Sequence, residues 1–435
     1  CYANIYYICI KLHIMNHLIH LAIADQKEEI EKTGIREFIP REVASDLDQE
    51  TNLIRIITGI RRCGKSTLAR LSLQNKKFAY VNFDDERLSS LAAEELNEVM
   101  TALHMLYGDF DTLFLDEIQN IEGWSLFLNR LQRMGLKLIV TGSNSKLLSK
   151  ELASHLTGRF RNTELFPFSF REVLTYKKID PSLATTRNQA MVSQALNAYL
   201  SNGGLPEILK GEDADRYATD LFFAIVNRDV LFRYNIRHKK TFKDIAVYLV
   251  SQYGRETSFN RIKKLFSLGS EHTAKNYLDY LEEAYIVATV SKFSFKKQET
   301  IRFRKVYVIV PAFIRALTPG FSPDSGFLYE NLVFVELNRR KNKEKFEIFY
   351  YKAKVEVDFL LTRGKKIHQL VQVTTNLREG QTMKREINAL LIVSAELGCD
   401  NLLIINESID EFRIVSEKKI RFITLRTWLS DYTFT

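Results

Sequence analysis

The nine residues Gly59-Ile60-Arg61-Arg62-Cys63-Gly64-Lys65-Ser66-Thr67 constrain this chain more than any other stretch. They lie between an apolar β-forming run, Leu53-Ile54-Arg55-Ile56-Ile57-Thr58, and a segment of helical character, Ser66-Thr67-Leu68-Ala69-Arg70-Leu71. A strand that enters a glycine-framed loop ending in Gly-Lys-Ser and leaves as a helix is the setting a phosphate-binding loop requires. Gly59 and Gly64 permit backbone angles that a side chain would exclude. The N–H groups of the loop then converge on phosphate oxygens beside the positive end of the helix. Lys65 brings a point charge to the terminal phosphates, and Ser66 offers a hydroxyl to a magnesium ion.

The segments that follow alternate in the same way. Phe78-Ala79-Tyr80-Val81-Asn82-Phe83 reads as a strand closed by Asp84-Asp85-Glu86, and residues 88–107 carry apolar side chains at helical spacing. Thr112-Leu113-Phe114-Leu115-Asp116-Glu117 is a buried strand that delivers two carboxylates at its carboxyl end, a Walker B pattern. Asp116 would hold the magnesium shell and Glu117 would polarise the attacking water, although the same pair also suits a plain strand cap. After a helix over 124–134, the strand Leu136-Lys137-Leu138-Ile139-Val140-Thr141 ends in Gly142-Ser143-Asn144. Asn144 or Ser143 would orient water or sense the terminal phosphate; Ser and Asn also favour simple turns and caps.

Leu156-Thr157-Gly158-Arg159-Phe160-Arg161 follows a further helix. Arg159 suits a finger acting on a neighbouring subunit, or equally a surface arginine. Strands alternating with helices imply a doubly wound parallel sheet with its ligands at the carboxyl ends of the strands. All the proposed site residues are expected at those ends.

A length of 435 residues favours about three domains, and a formal net charge of +9 suits an acidic partner without deciding one. Cys1, Cys9, Cys63 and Cys399 show neither pairing nor metal-ligand spacing, so a reducing compartment is expected. Residues 2–24 are apolar but interrupted by Lys11, His13, His17 and His20, and lack the basic start and cleavage site of a signal peptide; Met15 could be the natural start. No later stretch reads as a membrane span, and a cytoplasmic protein without a membrane partner is expected.

The expected organisation is a leader and helix over 1–45, an α/β nucleotide-binding core over 46–165, a helical lid over 166–240, a winged helix-turn-helix over 241–318 and an α+β domain over 319–435. Within the lid, broken at Asn202-Gly203-Gly204-Leu205-Pro206, Arg216, Arg228 and Arg233 are candidate nucleotide contacts. The unit over 241–318 reads as three helices and a hairpin turning at Lys296-Lys297, with Lys263, Lys264, Lys275, Lys296, Lys297, Arg302 and Arg304 available for DNA phosphates. Its last helix also carries Glu271, Asp279, Glu282 and Glu283, which suit a protein contact instead. Residues 312–326 read as a linker because of Pro319, Gly320, Pro323 and Gly326.

The last unit, in the order α-β-β-β-α-β with Glu356 and Asp358 on its second strand, resembles the PD-(D/E)XK nuclease fold. Such enzymes hold magnesium with the strand Asp and a Glu from the next strand, and use a nearby lysine. Here Gln372-Val373-Thr374 stands where Glu-X-Lys is expected, so a degenerate, restriction-endonuclease-like domain is the reading, with Lys352, Lys354 or Lys366 as candidate replacements.

The combination is similar to a prokaryotic family of AAA+ ATPases with an N-terminal P-loop domain and a nuclease-like C-terminal domain of unknown function. The resemblance rests on the loop above, Phe114-Leu115-Asp116-Glu117-Ile118-Gln119, Thr141-Gly142-Ser143-Asn144, Leu156-Thr157-Gly158-Arg159, Gly203-Gly204-Leu205-Pro206-Glu207, Tyr277-Leu278-Asp279-Tyr280-Leu281 and Glu356-Val357-Asp358-Phe359. It implies ATP and magnesium as ligands, Lys65, Ser66, Asp116 and Glu117 in the roles given, and Arg159 as a candidate finger; a homo-oligomer is one candidate partner. Val310-Pro311 departs from it where relatives carry an Asp. Three functions compete: an ATP-hydrolysing switch or remodeller that recognises DNA or a protein, an ATP-regulated nuclease, and a binding protein that keeps its nucleotide for structure.

Overall fold

The computed structural model describes residues 2–33, 39–44, 47, 51–89, 91–144, 158–318, 324–375 and 380–430. They form two compact units, Cys1–Leu165 and Phe166–Thr435.

In the first unit five strands, β1 (Ile54–Thr58), β2 (Phe78–Asn82), β3 (Thr112–Asp116), β4 (Lys137–Gly142) and β5 (Phe160–Glu164), lie in the order β2-β3-β4-β1-β5. Every pairing between them is parallel. β3 is buried at all five positions, as expected of an interior strand covered on both faces. The insertion of β4 between β1 and β3 sets the ends of the two motif-bearing strands on either side of Gly142. Ile54, Ile56, Val81, Leu113, Leu115 and Val140 meet Trp124, Leu128 and Leu131 of the helix Trp124–Arg133 in one apolar core.

The helix expected within residues 1–45 spans Tyr2–Thr33 and packs Ile19, Ala22 and Ile23 into that core. Residues 34–38 lie outside the described residues. The helix expected from residue 88 begins only at Leu96, after a 3-10 turn over Ala93–Glu95, because the Glu95 carboxylate accepts the Ala92 N–H and starts the turn there. No helix among the described residues is long and apolar enough to cross a membrane.

The second unit is built on one sheet of nine strands. They are β6 (Glu256–Thr257), β7 (Val287–Lys292), β8 (Arg304–Val308), β9 (Glu347–Lys352), β10 (Glu356–Arg363), β11 (Lys366–Val373), β12 (Leu402–Asn406), β13 (Glu411–Val415) and β14 (Lys418–Thr424), in the order β13-β14-β12-β11-β10-β9-β7-β8-β6. The segments read from sequence as lid, helix-turn-helix with hairpin, and C-terminal domain all belong to this unit. The hairpin β7–β8 is continuous with the C-terminal strands, since β7 pairs in parallel with β9 at Ser291↔Phe349 and Lys292↔Tyr350.

Two expectations for this unit need correction. The hairpin does not turn at Lys296-Lys297. A short helix, Lys297–Arg302, closes it, because Glu299 accepts both Lys292 Nζ at 3.3 Å and Ser294 Oγ at 3.2 Å. The expected linker over 312–326 begins as a helix, Pro311–Leu317, which buries Ala312, Phe313 and Ile314. Its N1 proline needs no N–H there. Pro319, Gly320 and Pro323 lie outside the described residues, and the next helix, Ser325–Glu344, starts from an Asp324 cap that accepts the Gly326 N–H at 2.9 Å.

Gly203 and Gly204 allow close approach within the same unit. A Cβ at Gly203, where φ is 67°, would lie 2.8 Å from Pro311 Cδ, and one at Gly204 would lie 2.0 Å from the Phe168 carbonyl oxygen. The Phe168 N–H donates to the Gly204 carbonyl at 2.8 Å, so the two backbones touch. Gly204→Ala is expected to destabilise this unit by about 1–3 kcal/mol, measured as a fall in denaturation midpoint. An unchanged midpoint would refute the close approach.

Candidate active site

The loop between β1 and the helix Lys65–Ser72 is shaped by its glycines. Gly64 caps the helix in the left-handed conformation at φ 96°. A Cβ at Gly59 would lie 2.1 Å from the Leu165 carbonyl oxygen, so only glycine lets the loop lie against that chain. Cys63 is fully buried and its thiol donates to the same oxygen at 3.4 Å. Burial pushes the thiol pKa up, which keeps this side chain a neutral packing group. Ile60 is buried beside it, while Arg61 pairs with Asp84 at 3.2 Å and Arg62 sits at φ 67°.

Lys65 is buried at the start of the helix. Its ammonium donates to the carbonyls of Gly59 at 3.1 Å and Ile60 at 3.2 Å, and faces Glu117 Oε1 at 3.4 Å. Burial works against its charge, but Glu117 and Asp116 outweigh it and hold the pKa above the ordinary lysine value. Ser66 follows, and its hydroxyl favours the charged form of Asp116; Thr67 continues the helix.

Asp116 ends β3. Thr141 Oγ1 donates to one of its oxygens and the Tyr80 hydroxyl to the other, at 3.2 Å. Burial, and then the neighbouring Glu117, raise the Asp116 pKa. Glu117 is held in the left-handed region at φ 53°, uncommon for a residue with a side chain. This bend sends its carboxylate toward Lys65. Burial opposes the charge, yet Lys65, Arg61 and the donors Gln119 and Ser143 lower its pKa to about 2. Ser143 and Asn144 follow β4 and are both 1% exposed. The Ser143 N–H donates to Glu117 Oε2 at 3.2 Å, while the Ser143 hydroxyl is buried without a hydrogen-bond partner.

The carboxyl ends of β1, β3 and β4 thus bring together Lys65, Ser66, Asp116, Glu117, Ser143 and Asn144. Arg159 is the exception. It precedes the amino end of β5, where its carbonyl accepts the Ile54 N–H at 3.0 Å. β5 runs parallel to β1 from Ile54↔Phe160 to Thr58↔Glu164, so Arg159 lies one strand length, roughly 17 Å at about 3.3 Å per residue, from its own loop. It is exposed and donates to Asn129 Oδ1 at 3.2 Å. The expectation that every site residue sits at the carboxyl ends fails here, because the arginine comes before its strand and not after it. Leu156 and Thr157 of the same motif lie outside the described residues.

Three residues of the site were not singled out from sequence. Thr141 binds Asp116 and also accepts the Glu117 N–H at 3.2 Å. Arg41 donates to the Cys63 carbonyl at 3.0 Å and is buried. Gln119 donates to Glu117. Gln119 lies inside a recognisable motif, but Arg41 is 22 residues upstream of its partner and gives no local signal.

The C-terminal part of the second unit holds a separate charged cluster. Lys305, on β8, is 3% exposed, and its ammonium meets Glu356 at 2.8 Å, Glu330 at 3.0 Å and Asp358 at 3.6 Å. The Tyr307 hydroxyl donates to Glu330 at 2.6 Å, and the Val373 N–H to Asp358 at 2.9 Å. Gln372 spans from the Asp358 N–H to Glu386. The three lysines considered as replacements from sequence are exposed; Lys352 reaches Glu356 at 3.3 Å, and it is Lys305, from the hairpin, that is buried in the cluster and meets Asp358. Among the described residues no group of three or more His, Cys, Asp or Glu has an arrangement that could hold a metal ion.

Parallel sheet, glycine-framed loop, buried lysine and paired carboxylates define a P-loop ATPase domain of the AAA type. The family model of an AAA domain matches residues 51–174, and two domains of unknown function, DUF8612 and DUF4143, match 193–324 and 325–428. The uncharacterized protein MJ1544 of Methanocaldococcus jannaschii is 37% identical over 371 residues, which cover 81% of each chain. The chain belongs to the same family as MJ1544. An uncharacterized protein of Haemophilus influenzae is 26% identical over 320 residues, covering 67% of this chain and 76% of that one. Among solved structures, the Walker-type ATPase paby2304 of Pyrococcus abyssi is similar with a TM-score of 0.40 and 17% identity, covering 64% of this chain and 96% of that one.

Proposed function

We propose that this protein is an ATP-binding and ATP-hydrolysing switch. The observation that carries the reading is the convergence of Lys65 on Glu117 at 3.4 Å, with Asp116 and the Ser66 hydroxyl alongside, at the end of the glycine-framed loop. The loop amides and the Lys65 ammonium would hold the triphosphate. Ser66 and Asp116 form an all-oxygen donor pair of the kind magnesium takes, and the ion would neutralise charge on the phosphoryl oxygens. Glu117 would polarise a water for in-line attack on the terminal phosphorus, releasing ADP and phosphate. Ser143 and Asn144, between the two motifs, would orient that water or contact the terminal phosphate. Binding would order these groups and hydrolysis release them.

Lys65→Ala removes the one ammonium group inside the loop. Its affinity for magnesium–ATP by calorimetry is expected to fall at least tenfold, about 1.4 kcal/mol or more. Unchanged affinity would overturn the assignment of the loop.

A further inference from the structure

Glu117 uses its two oxygens differently. Oε1 faces only the Lys65 ammonium among the contacts described above, at 3.4 Å, whereas Oε2 takes two donors, Gln119 Nε2 and the Ser143 N–H at 3.2 Å. The left-handed turn at Glu117 opens a 3-10 turn over Ile118–Asn120, closed by the Asn120 N–H on the Glu117 carbonyl at 3.1 Å. That turn, and not a distant element, folds the Gln119 side chain back onto the carboxylate two residues earlier. A carboxylate only accepts, so the amide must present its nitrogen to Glu117. Gln119 is buried, and its other amide atom, Oε1, has no hydrogen-bond partner. A buried acceptor left unsatisfied opposes this placement, and the contact with Glu117 holds the amide there against it.

We propose that Gln119 is a positioning residue that anchors Oε2 of Glu117, so that Oε1 alone is presented to water when Lys65 turns to a phosphate. The inference rests on the proposed ATPase reading. A glutamate side chain has three rotatable bonds, and without the amide only the Ser143 N–H would hold Oε2. The free rotation this restores misplaces the base relative to the phosphorus. Small misplacements of a catalytic group cost as much as about 10²-fold in rate. Lys65, Ser66 and the loop amides are untouched by the change, so ATP affinity is untouched as well.

The test uses the full chain. Gln119→Met keeps the length of the side chain and removes the donor; Gln119→Leu removes it as well, with a shorter apolar side chain. For both, kcat for ATP is expected to fall about 10- to 100-fold while the calorimetric Kd for magnesium–ATP stays within about twofold of wild type. In a Glu117→Gln background, Gln119→Met is expected to cause no further loss, because Gln119 acts only through Glu117; a merely structural residue would add its own loss. A wild-type kcat in both Gln119 variants, an additive loss in the double variant, or a parallel loss of affinity would each overturn the inference while leaving the ATPase reading in place. A wild-type protein that neither binds nor hydrolyses ATP would overturn both.

Discussion

Glu117→Gln is expected to bind magnesium–ATP with at least wild-type affinity and to hydrolyse it about 10²–10⁴-fold more slowly. The geometry separates the two effects. The carboxylate meets Lys65 at 3.4 Å, so it competes with any phosphate for that ammonium. Replacing it with an amide removes the competing charge and leaves Lys65 freer for the ligand. The substitution is nearly isosteric, and its amide oxygen can still accept from Gln119 Nε2 and the Ser143 N–H, the two donors that now hold Oε2. The left-handed backbone at φ 53° is kept as well, so the 3-10 turn is not disturbed. What is lost is the ability to take a proton from water. Single-turnover phosphate release, set beside calorimetry, measures both quantities. Turnover within about tenfold of wild type would remove Glu117 from the catalytic role.

The second large effect concerns stability. Lys305→Met is expected to destabilise the second unit by about 3–5 kcal/mol, because it removes the cation shared by three carboxylates and leaves them buried or half-buried, with Lys352 still reaching Glu356 at 3.3 Å. Methionine fills much of the volume, so the loss is electrostatic and not a cavity. Burial and the carboxylates of Glu330, Asp358 and Glu356 act on Lys305 in opposite senses, and the carboxylates win: its pKa lies above the ordinary lysine value. A group whose folded pKa is raised contributes stability that is complete below its unfolded pKa, so the Lys305 contribution is present throughout the neutral range.

Asp358 is also raised, first by burial and then by Glu330. Acidification therefore protonates Asp358, weakens its attraction for Lys305 and narrows the difference between wild type and variant. The protein contains two tryptophans, Trp124 in the first unit and Trp428 in the second, both 1% exposed. In a Trp124→Phe background, Trp428 fluorescence follows urea unfolding of the second unit alone. Adding Glu330→Gln to Lys305→Met is expected to recover part of the loss. A midpoint unchanged by Lys305→Met would show that the cluster is not bound together by this lysine.

Much of the candidate site is legible in the chain itself because its parts are local. Gly59 to Thr67 combine a strand, a turn and a helix start within nine residues, and Asp116-Glu117 sit at the end of a strand whose burial is written in its apolar run. Thr141 escaped notice because its role depends on β4 lying beside β3, which no neighbouring residue signals. Arg159 was misplaced relative to the other site residues because a motif shows which side chain is present and not which end of the sheet it occupies. In the second unit the order α-β-β-β-α-β over residues 325–406 was readable; β13 and β14 were not, and neither was the junction between hairpin and C-terminal strands. It consists of two parallel residue pairs between Ser291-Lys292 and Phe349-Tyr350, more than fifty positions apart.

The amino-acid sequence by itself determined the phosphate-binding loop and its carboxylate partners, since strand propensity, glycine freedom and residue type act over a few bonds. Only the tertiary structure decided which lysine enters the acidic cluster of the second unit and which amide holds Glu117. Both depend on where buried side chains meet, through sheet order in one case and a left-handed turn in the other. A buried charge takes whatever counter-charge the packing brings within reach, and no spacing along the chain specifies that.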